Sequence, residues 1–212
     1  MDHQERMEAG LPYKPWLDGL AEARQTAKEK IYAFNNTPPQ SQEQSMSILK
    51  ELFSRTGEDF WIEAPFHCDY GYHIEVGEHF YANYNLTILD AGWVRIGDNC
   101  MIAPNVSIFT AGHPIHPQAR NSGYEYGFGI TIGHNVWIGG GAILLPGVTV
   151  GNNVVIAAGS VVGKDLPDNV VAAGNPCRPI RTIRPEERDC YFRDRPFDME
   201  DHLAPDDPTY AL

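Results

Sequence analysis

The sequence predicts a mainly β protein, a parallel β-helix of short stacked coils preceded by an α-helical segment. Three observations carry that prediction. From Ile132 the chain reads IGHNVW-IGGGAI-LLPGVT-VGNNVV-IAAGSV-VGKDLP when cut every six residues. Aliphatic residues open each hexad (Ile132, Ile138, Leu144, Val150, Ile156, Val162), and a second small or aliphatic residue recurs four places on, at Val136, Ala142, Val148, Val154 and Ser160. A helix repeats near 3.6 residues and a strand near 2, so a sustained period of six fits neither as a continuous element. It fits a coil with flat sides, in which each hexad gives one short strand and one turn and about 18 residues close a coil. The same phase appears earlier at Val76, Ala82 and Ile88 and, after a two-residue insertion, at Ile96, Ile102 and Ile108. Before Trp61 the periodicity is helical instead.

Residues 1–60 form the helical segment. In LDGLAEARQTAKEKIYAFNN the apolar residues Leu17, Leu20, Ala23, Ala27, Ile31 and Phe34 recur at three- and four-residue steps, the pattern of an amphipathic helix ending near Asn35 and Asn36. Pro38 and Pro39 break the chain. A second helix is expected over SQEQSMSILKELFSRTGE, with Ser41 or Ser45 as caps and Met46, Leu49, Leu52 and Phe53 inward. Residues 61–183 form the β-helix. Alternation along each short strand sends the hexad-opening residues into a dry core, and Gly and Asn take the corners, where positive φ is needed. Cys100, fifth in its hexad, also points inward and reads as a small buried hydrophobe. The loop at 110–129, TAGHPIHPQARNSGYEYGFG, has no hexad phase. A long insertion in a regular solenoid usually forms its binding face. Residues 184–212 carry nine acidic and four basic residues and read as an acidic surface tail.

Composition excludes several classes. A net charge of −12 over 212 residues argues against binding nucleic acid or an anionic membrane. No apolar run reaches the ~18 residues of a membrane span, and MDHQERMEAG lacks the apolar core of a signal peptide, so a cytoplasmic protein is expected. The four cysteines, Cys68, Cys100, Cys177 and Cys190, show no metal spacing and are expected as free thiols.

The candidates for chemistry follow from position. His113 stands where the regular coil gives way to the loop; an imidazole there can take a proton from a hydroxyl near neutral pH, or can simply be a turn residue. Glu125, on the far side of the loop, can fold back to orient that ring or can be a solvated carboxylate. Six of the eight histidines (His67, His73, His79, His113, His116, His134) do not all share one hexad phase, and no metal site is expected. Asp69, Tyr81, Asn83 and Asp90 form a polar cluster in the first coils, with Tyr81 and Asn83 outward by phase. Lys164, Arg178 and Arg181 gather at the C-terminal end of the coil near Gly159 and Gly163. They suit an anionic, phosphate-bearing cofactor, or cap a hydrophobic coil.

The hexad array, the AGHP loop, NVWIG at 135–139, PGVTVGNNVVIAAGSVV at 146–162, KD at 164–165 and NVVAAGNPCR at 169–178 closely resemble the maltose/galactoside O-acetyltransferases, a branch of the hexapeptide-repeat acyltransferases. The resemblance runs from about Met7 to Ile183. It implies a left-handed parallel β-helix, a homotrimer with active sites between subunits, and transfer of an acetyl group from acetyl-CoA to a sugar hydroxyl. His113 matches the family's catalytic histidine and Glu125 the carboxylate that assists it in the maltose branch. Asp69, Asn83 and Tyr81 match acceptor-site positions; Trp137, Gly140, Ala158, Lys164, Arg178 and Arg181 match the CoA channel, beside Gly159. Departures concern the acceptor side and, at Gly163, the cofactor side. Asp90-Ala91 stands where galactoside enzymes carry Asp-Asp, Gly163 replaces a common Thr, and Asp18 is the acid near the N-terminal acceptor position. The alternatives are a hexapeptide acetyltransferase with a serine or xenobiotic acceptor, a carbonic-anhydrase-type metalloenzyme, and a non-catalytic trimeric scaffold.

Overall fold

The computed structural model describes residues 1–205 and 208–212. At the N-terminus a short helix, α1 (His3–Glu8), is closed by a reciprocal cap. The Asp2 carboxylate accepts the Glu5 N–H at 2.8 Å and the Glu5 carboxylate accepts the Asp2 N–H at 3.0 Å. It lies outside both helices expected from periodicity, because six residues are too few to show one. The first expected helix is α2 (Leu20–Asn35). It starts later than Leu17 because Asp18 and Gly19 adopt left-handed backbone, at φ 53° and 83°. The second, α3 (Gln42–Leu52), stops short of Glu58 because Phe53 turns extended. Ala27, Ile31 and Phe34 of α2 and Leu49 and Leu52 of α3 join the main core, where the Phe53 and Phe66 rings meet edge-on at 5.5 Å.

Beyond Phe60 the chain winds as a three-sided prism. Face I stacks Phe60–Ile62, Phe80–Ala82, Met101–Ile102, Trp137–Ile138, Val155–Ile156 and Val170–Ala173 in parallel. Face II stacks Phe66–Cys68, Leu86–Leu89, Ser107–Phe109, Ile143–Leu144 and Val161–Val162; face III stacks Ile74–Val76, Val94–Ile96, Ile130–Ile132 and Thr149–Val150. The hexad-opening residues from Val76 to Val162 are all at most 2% exposed, so the period-six pattern is the core pattern. Cys100 is likewise buried, and burial pushes its thiol up to about 12. Corner backbones are left-handed in columns. His79, Asn99, Asn135, Asn153 and Asn169 turn between faces III and I, and Asn85, Asn105, Gly141 and Gly159 between faces I and II.

The uniform coil of about 18 residues needs correction. Tyr81 pairs with Met101, 20 residues on; Trp137 pairs with Val155, 18 on; Val155 pairs with Val171, 16 on. In the early coils the extra residues fall at one corner, between faces II and III, as Asp69–His73 and Asp90–Trp93. The 110–129 loop grows from that same corner. Each turn there satisfies the one stacked on it. The Asp90 carboxylate accepts the N–H groups of Asp69, Tyr70 and Gly71 at 2.7–3.0 Å, and Thr110 Oγ1 accepts the N–H of Gly92 at 2.8 Å while donating to the Leu89 carbonyl at 2.6 Å. Against this corner a second small core forms from Met7, Tyr13, Leu20, Tyr70 and Ala91, which seats the N-terminal segment. At the other end, Val170–Ala173 pairs antiparallel with Arg178–Thr182. The tail makes a short hairpin, Cys190–Phe192 with Arg195–Pro196, then returns to the coil, where the carbonyls of Thr209 and Ala211 accept from Asn135 and Asn153 at 2.9 and 3.0 Å. No helix among the described residues is long and apolar enough to cross a membrane.

Candidate functional site

The loop at the II–III corner is a built structure. Its base is an antiparallel pair, Ala111–Gly112 with Tyr126–Gly127, fastened by the bond from Phe128 N–H to the Thr110 carbonyl at 2.9 Å. A side chain at Gly112 would meet the Tyr126 ring at 2.5 Å, and one at Gly127 the backbone of Ala91 and Gly92 at 2.8 Å, so close packing fixes how the loop leaves the prism. Inside it, the His116 ring accepts the Gln118 N–H at 3.3 Å and caps a one-turn helix, α4 (Pro117–Arg120); Arg120 donates to the Ile115 carbonyl at 2.8 Å. His116 is thereby held in the loop's own framework.

His113 leaves the base with its side chain 57% exposed, and the returning strand puts Glu125 Oε2 4.0 Å from its Nε2, within ion-pair range of a protonated ring. Glu125 is better covered and has a second partner. The Tyr13 hydroxyl donates to Glu125 Oε1 at 2.6 Å, and the two main chains form an antiparallel bridge, each N–H bonding the other's carbonyl at 2.9 Å. Sequence reasoning missed Tyr13. It lies 112 residues from its partner in a stretch with no periodicity, and nothing local marks it.

Asp69 stands half-buried at the same corner. Burial, then the neighbouring Asp90 carboxylate, raise its carboxyl to about 6, against a partial pull downward from Arg24. Arg24 reaches this corner from α2, donating to the Tyr70 hydroxyl at 2.6 Å. Asp90 corrects an expectation. It is fully buried with both oxygens committed to backbone amides, so it shapes the corner and presents no free oxygen to an acceptor. Its burial raises the carboxyl while the three amides hold it back down. Asp18 is exposed, and its carboxylate accepts the His3 N–H at 2.7 Å, tying down the start of α1.

The remaining candidates lie elsewhere on the prism. Tyr81 projects from face I in one outward ladder with Trp61, Met101 and Trp137, the last half-exposed. Asn83 follows that strand into the I–II corner, where its Oδ1 accepts the Tyr84 N–H at 2.8 Å. Gly140, Ala158 and Gly159 lie on the same corner in later coils, stacked by the bond from Gly159 N–H to the Gly140 carbonyl at 2.9 Å; with Ala103 and Ala157 they leave it without bulky side chains. Lys164 is exposed just past the last strand of face II, and Arg178 and Arg181 lie on the antiparallel closing strand. Arg181 is engaged by the tail, 2.7 Å from Glu187 Oε2, which lowers the Glu187 carboxyl.

The candidate residues of one chain thus fall into two separated groups. His113, Glu125 and Asp69 occupy the II–III edge, whereas Tyr81, Asn83, Trp137, Gly140, Ala158 and Gly159 occupy face I and the I–II edge. Two hollows lie apart from both groups: one of about 470 Å³ between α3 and Trp61, another of about 500 Å³ beneath the tail between Pro185 and Leu212. Among the described residues no three His, Cys, Asp or Glu side chains are grouped to hold a metal ion.

Comparison with known proteins gives relatives along most of the chain. A family model described as the maltose acetyltransferase hexapeptide capping motif matches residues 6–57, and one described as bacterial transferase hexapeptide (six repeats) matches residues 129–164. The chain is 48% identical over 194 residues to a galactoside O-acetyltransferase of Escherichia coli (strain K12), covering 92% of this chain and 96% of that one. Among solved structures, it is similar to a maltose O-acetyltransferase from Clostridium difficile 630 (TM-score 0.86, 50% identity, 87% of this chain and 98% of the other). It is also similar to a galactoside acetyltransferase in complex with coenzyme A (TM-score 0.91, 47% identity, 94% and 100%). The prism is accordingly the left-handed parallel β-helix of hexapeptide repeats.

Proposed function

The chain belongs to the maltose and galactoside O-acetyltransferase family of hexapeptide transferases, and from that premise we propose how its two half-sites carry out the reaction. It is an acetyl-CoA-dependent sugar O-acetyltransferase, with acetyl-CoA as co-substrate. His113 takes the proton of a sugar hydroxyl as that oxygen attacks the thioester carbonyl carbon. Backbone N–H groups near Gly140 steady the oxyanion, the C–S bond breaks, and the proton on His113 passes to the leaving thiolate. Glu125 stabilises the imidazolium formed between the two proton transfers. Among the described residues no serine or cysteine hydrogen-bonds His113, which favours direct transfer in a ternary complex over an acyl-enzyme.

The observation that carries the reading is the separation of the half-sites. The smooth I–II corner suits the pantetheine arm, Trp137 lies beside it, and Lys164, Arg178 and Arg181 gather cations at the end where phosphates would lie. His113 is on another edge. A neighbouring copy bringing its I–II edge against the II–III edge completes the site, adding Tyr81 and Asn83 to Asp69 on the acceptor side. The two edges lie a third of a turn apart on a three-sided prism, so this head-to-tail contact closes as a homotrimer. The cofactor role of Arg181 requires it to leave or share Glu187. The free cysteines suit a reducing compartment, and we place the enzyme in the cytoplasm.

The test is acetyl-CoA-dependent thiol release over a panel of sugars, with His113→Ala beside the parent protein. Loss of the base is expected to cost on the order of 10²–10⁴ in kcat. Turnover by His113→Ala at the parent rate would overturn the assignment.

A further inference from the structure

We propose that Tyr13 is a positioning residue for the catalytic pair, holding one oxygen of Glu125 so that the other faces His113; this rests on the reading in which Glu125 assists His113. Glu125 divides its carboxylate between two neighbours: Oε1 takes the Tyr13 hydroxyl at 2.6 Å and Oε2 lies 4.0 Å from His113 Nε2. A carboxylate on a loop can otherwise rotate about its terminal torsion, which is broad and nearly two-fold. The short bond to Tyr13 removes that freedom, and the flanking backbone bridge fixes the height of the phenol against the loop strand.

Tyr13 is itself immobilised. It is completely buried and packs with Met7, Leu20, Tyr70 and Ala91. Burial, reinforced by the Glu125 carboxylate, drives its phenol far above the ordinary tyrosine range, so it stays a neutral donor across the working pH range. A buried hydroxyl needs an acceptor, and any carbonyl would satisfy it. Here the acceptor is the one carboxylate beside the exposed histidine of the loop. The N-terminal segment is thereby joined to the catalytic pair through the Tyr13 hydroxyl and the backbone bridge beside it.

The test is a double-mutant cycle on the full-length enzyme. Tyr13→Phe keeps the ring and its packing and removes only the hydroxyl. It is expected to lower kcat about tenfold, the scale of one hydrogen bond to a charged group, with KM for acetyl-CoA within about twofold of the parent. In a Glu125→Ala background the same substitution is expected to cost less than about twofold, because the two residues act as a unit. Equal losses in both backgrounds, or a fall in thermal stability with kcat intact, would overturn the positioning role. Full kcat in Glu125→Ala would instead overturn the underlying assignment of Glu125, and the proposal with it. Incorporating 3-fluorotyrosine at position 13 gives a readout without loss of the hydroxyl. A more acidic donor draws charge from Glu125 and moves the acidic limb of the kcat/KM profile to lower pH; an unmoved limb counts against the proposal.

Discussion

Asp69 gives the sharpest test of the electrostatics at the corner. Its carboxyl is raised from 3.8 to about 6, first by burial and then by Asp90, with Arg24 opposing. An acid whose folded value exceeds its unfolded value binds its proton more tightly when folded. Its favourable contribution is therefore complete below about pH 4 and is lost as pH rises through about 6. At 1.36 kcal/mol per unit the ionised side chain costs at most ~3 kcal/mol at neutral pH, and solvent reaching this half-buried group reduces that to ~1–2 kcal/mol. Asp69→Asn keeps the shape and removes the charge. Calorimetry at matched protein concentration should show Tm at pH 7.5 raised by roughly 2–8 °C, at the usual 2–4 °C per kcal/mol for a chain of this size. At pH 4 the gain should shrink to less than about a quarter of that. Equal stabilisation at both pH values, or destabilisation at pH 7.5, would refute the assigned strain. If Asp69 also binds the acceptor, the same variant raises KM for the sugar while leaving KM for acetyl-CoA unchanged.

Other expectations follow from the same structure. Asp90→Asn keeps one acceptor oxygen and turns an amide donor toward at least one of the three backbone N–H groups in a fully buried site; it should lower stability by ~2–4 kcal/mol, read from denaturant midpoints. Gly97→Ala puts a methyl 2.8 Å from the Gly133 carbonyl group of the next coil, and should reduce Tm by several degrees through backbone crowding, at a cost of about 1–3 kcal/mol. Cys100, buried and with its thiol pushed up to about 12, should resist a thiol reagent at pH 8 in the native state and react once unfolded. Trp137→Ala removes an exposed ring from the proposed cofactor groove; it should raise KM for acetyl-CoA about tenfold and leave KM for the sugar unchanged.

The core was legible because a stacked coil repeats its packing problem. Every hexad opening with Ile, Leu or Val marks an inward position, and every Asn or Gly column marks a corner needing φ > 0. The position of the loop could be read as a break in phase. What the sequence did not show was which corner each candidate occupies. Tyr81 and Asn83 seemed to belong with Asp69 and Asp90 because they are close along the chain, yet the prism sends them to a different edge. Asp90 read as one of a polar cluster at the acceptor site, but three amides of the preceding turn claim it. The Tyr13–Glu125 contact is tertiary, joining segments that share no periodic signal. Coil length varied because two residues at a corner scarcely disturb the hexad phase of the strands on either side.

The confinement of every early insertion to the corner between faces II and III has a consequence for how such a chain can change. Lengthening any other turn would break the columns of stacked asparagine and glycine and shift the strands above out of register. At this one corner the stack already tolerates five residues at Asp69–His73, four at Asp90–Trp93 and twenty at 110–129. The prism therefore has a single edge along which segment length can be altered without re-solving the core. On the proposed reading that edge carries His113 and Asp69, so a change of length there bears first on the acceptor side and leaves the chain's own I–II corner in register.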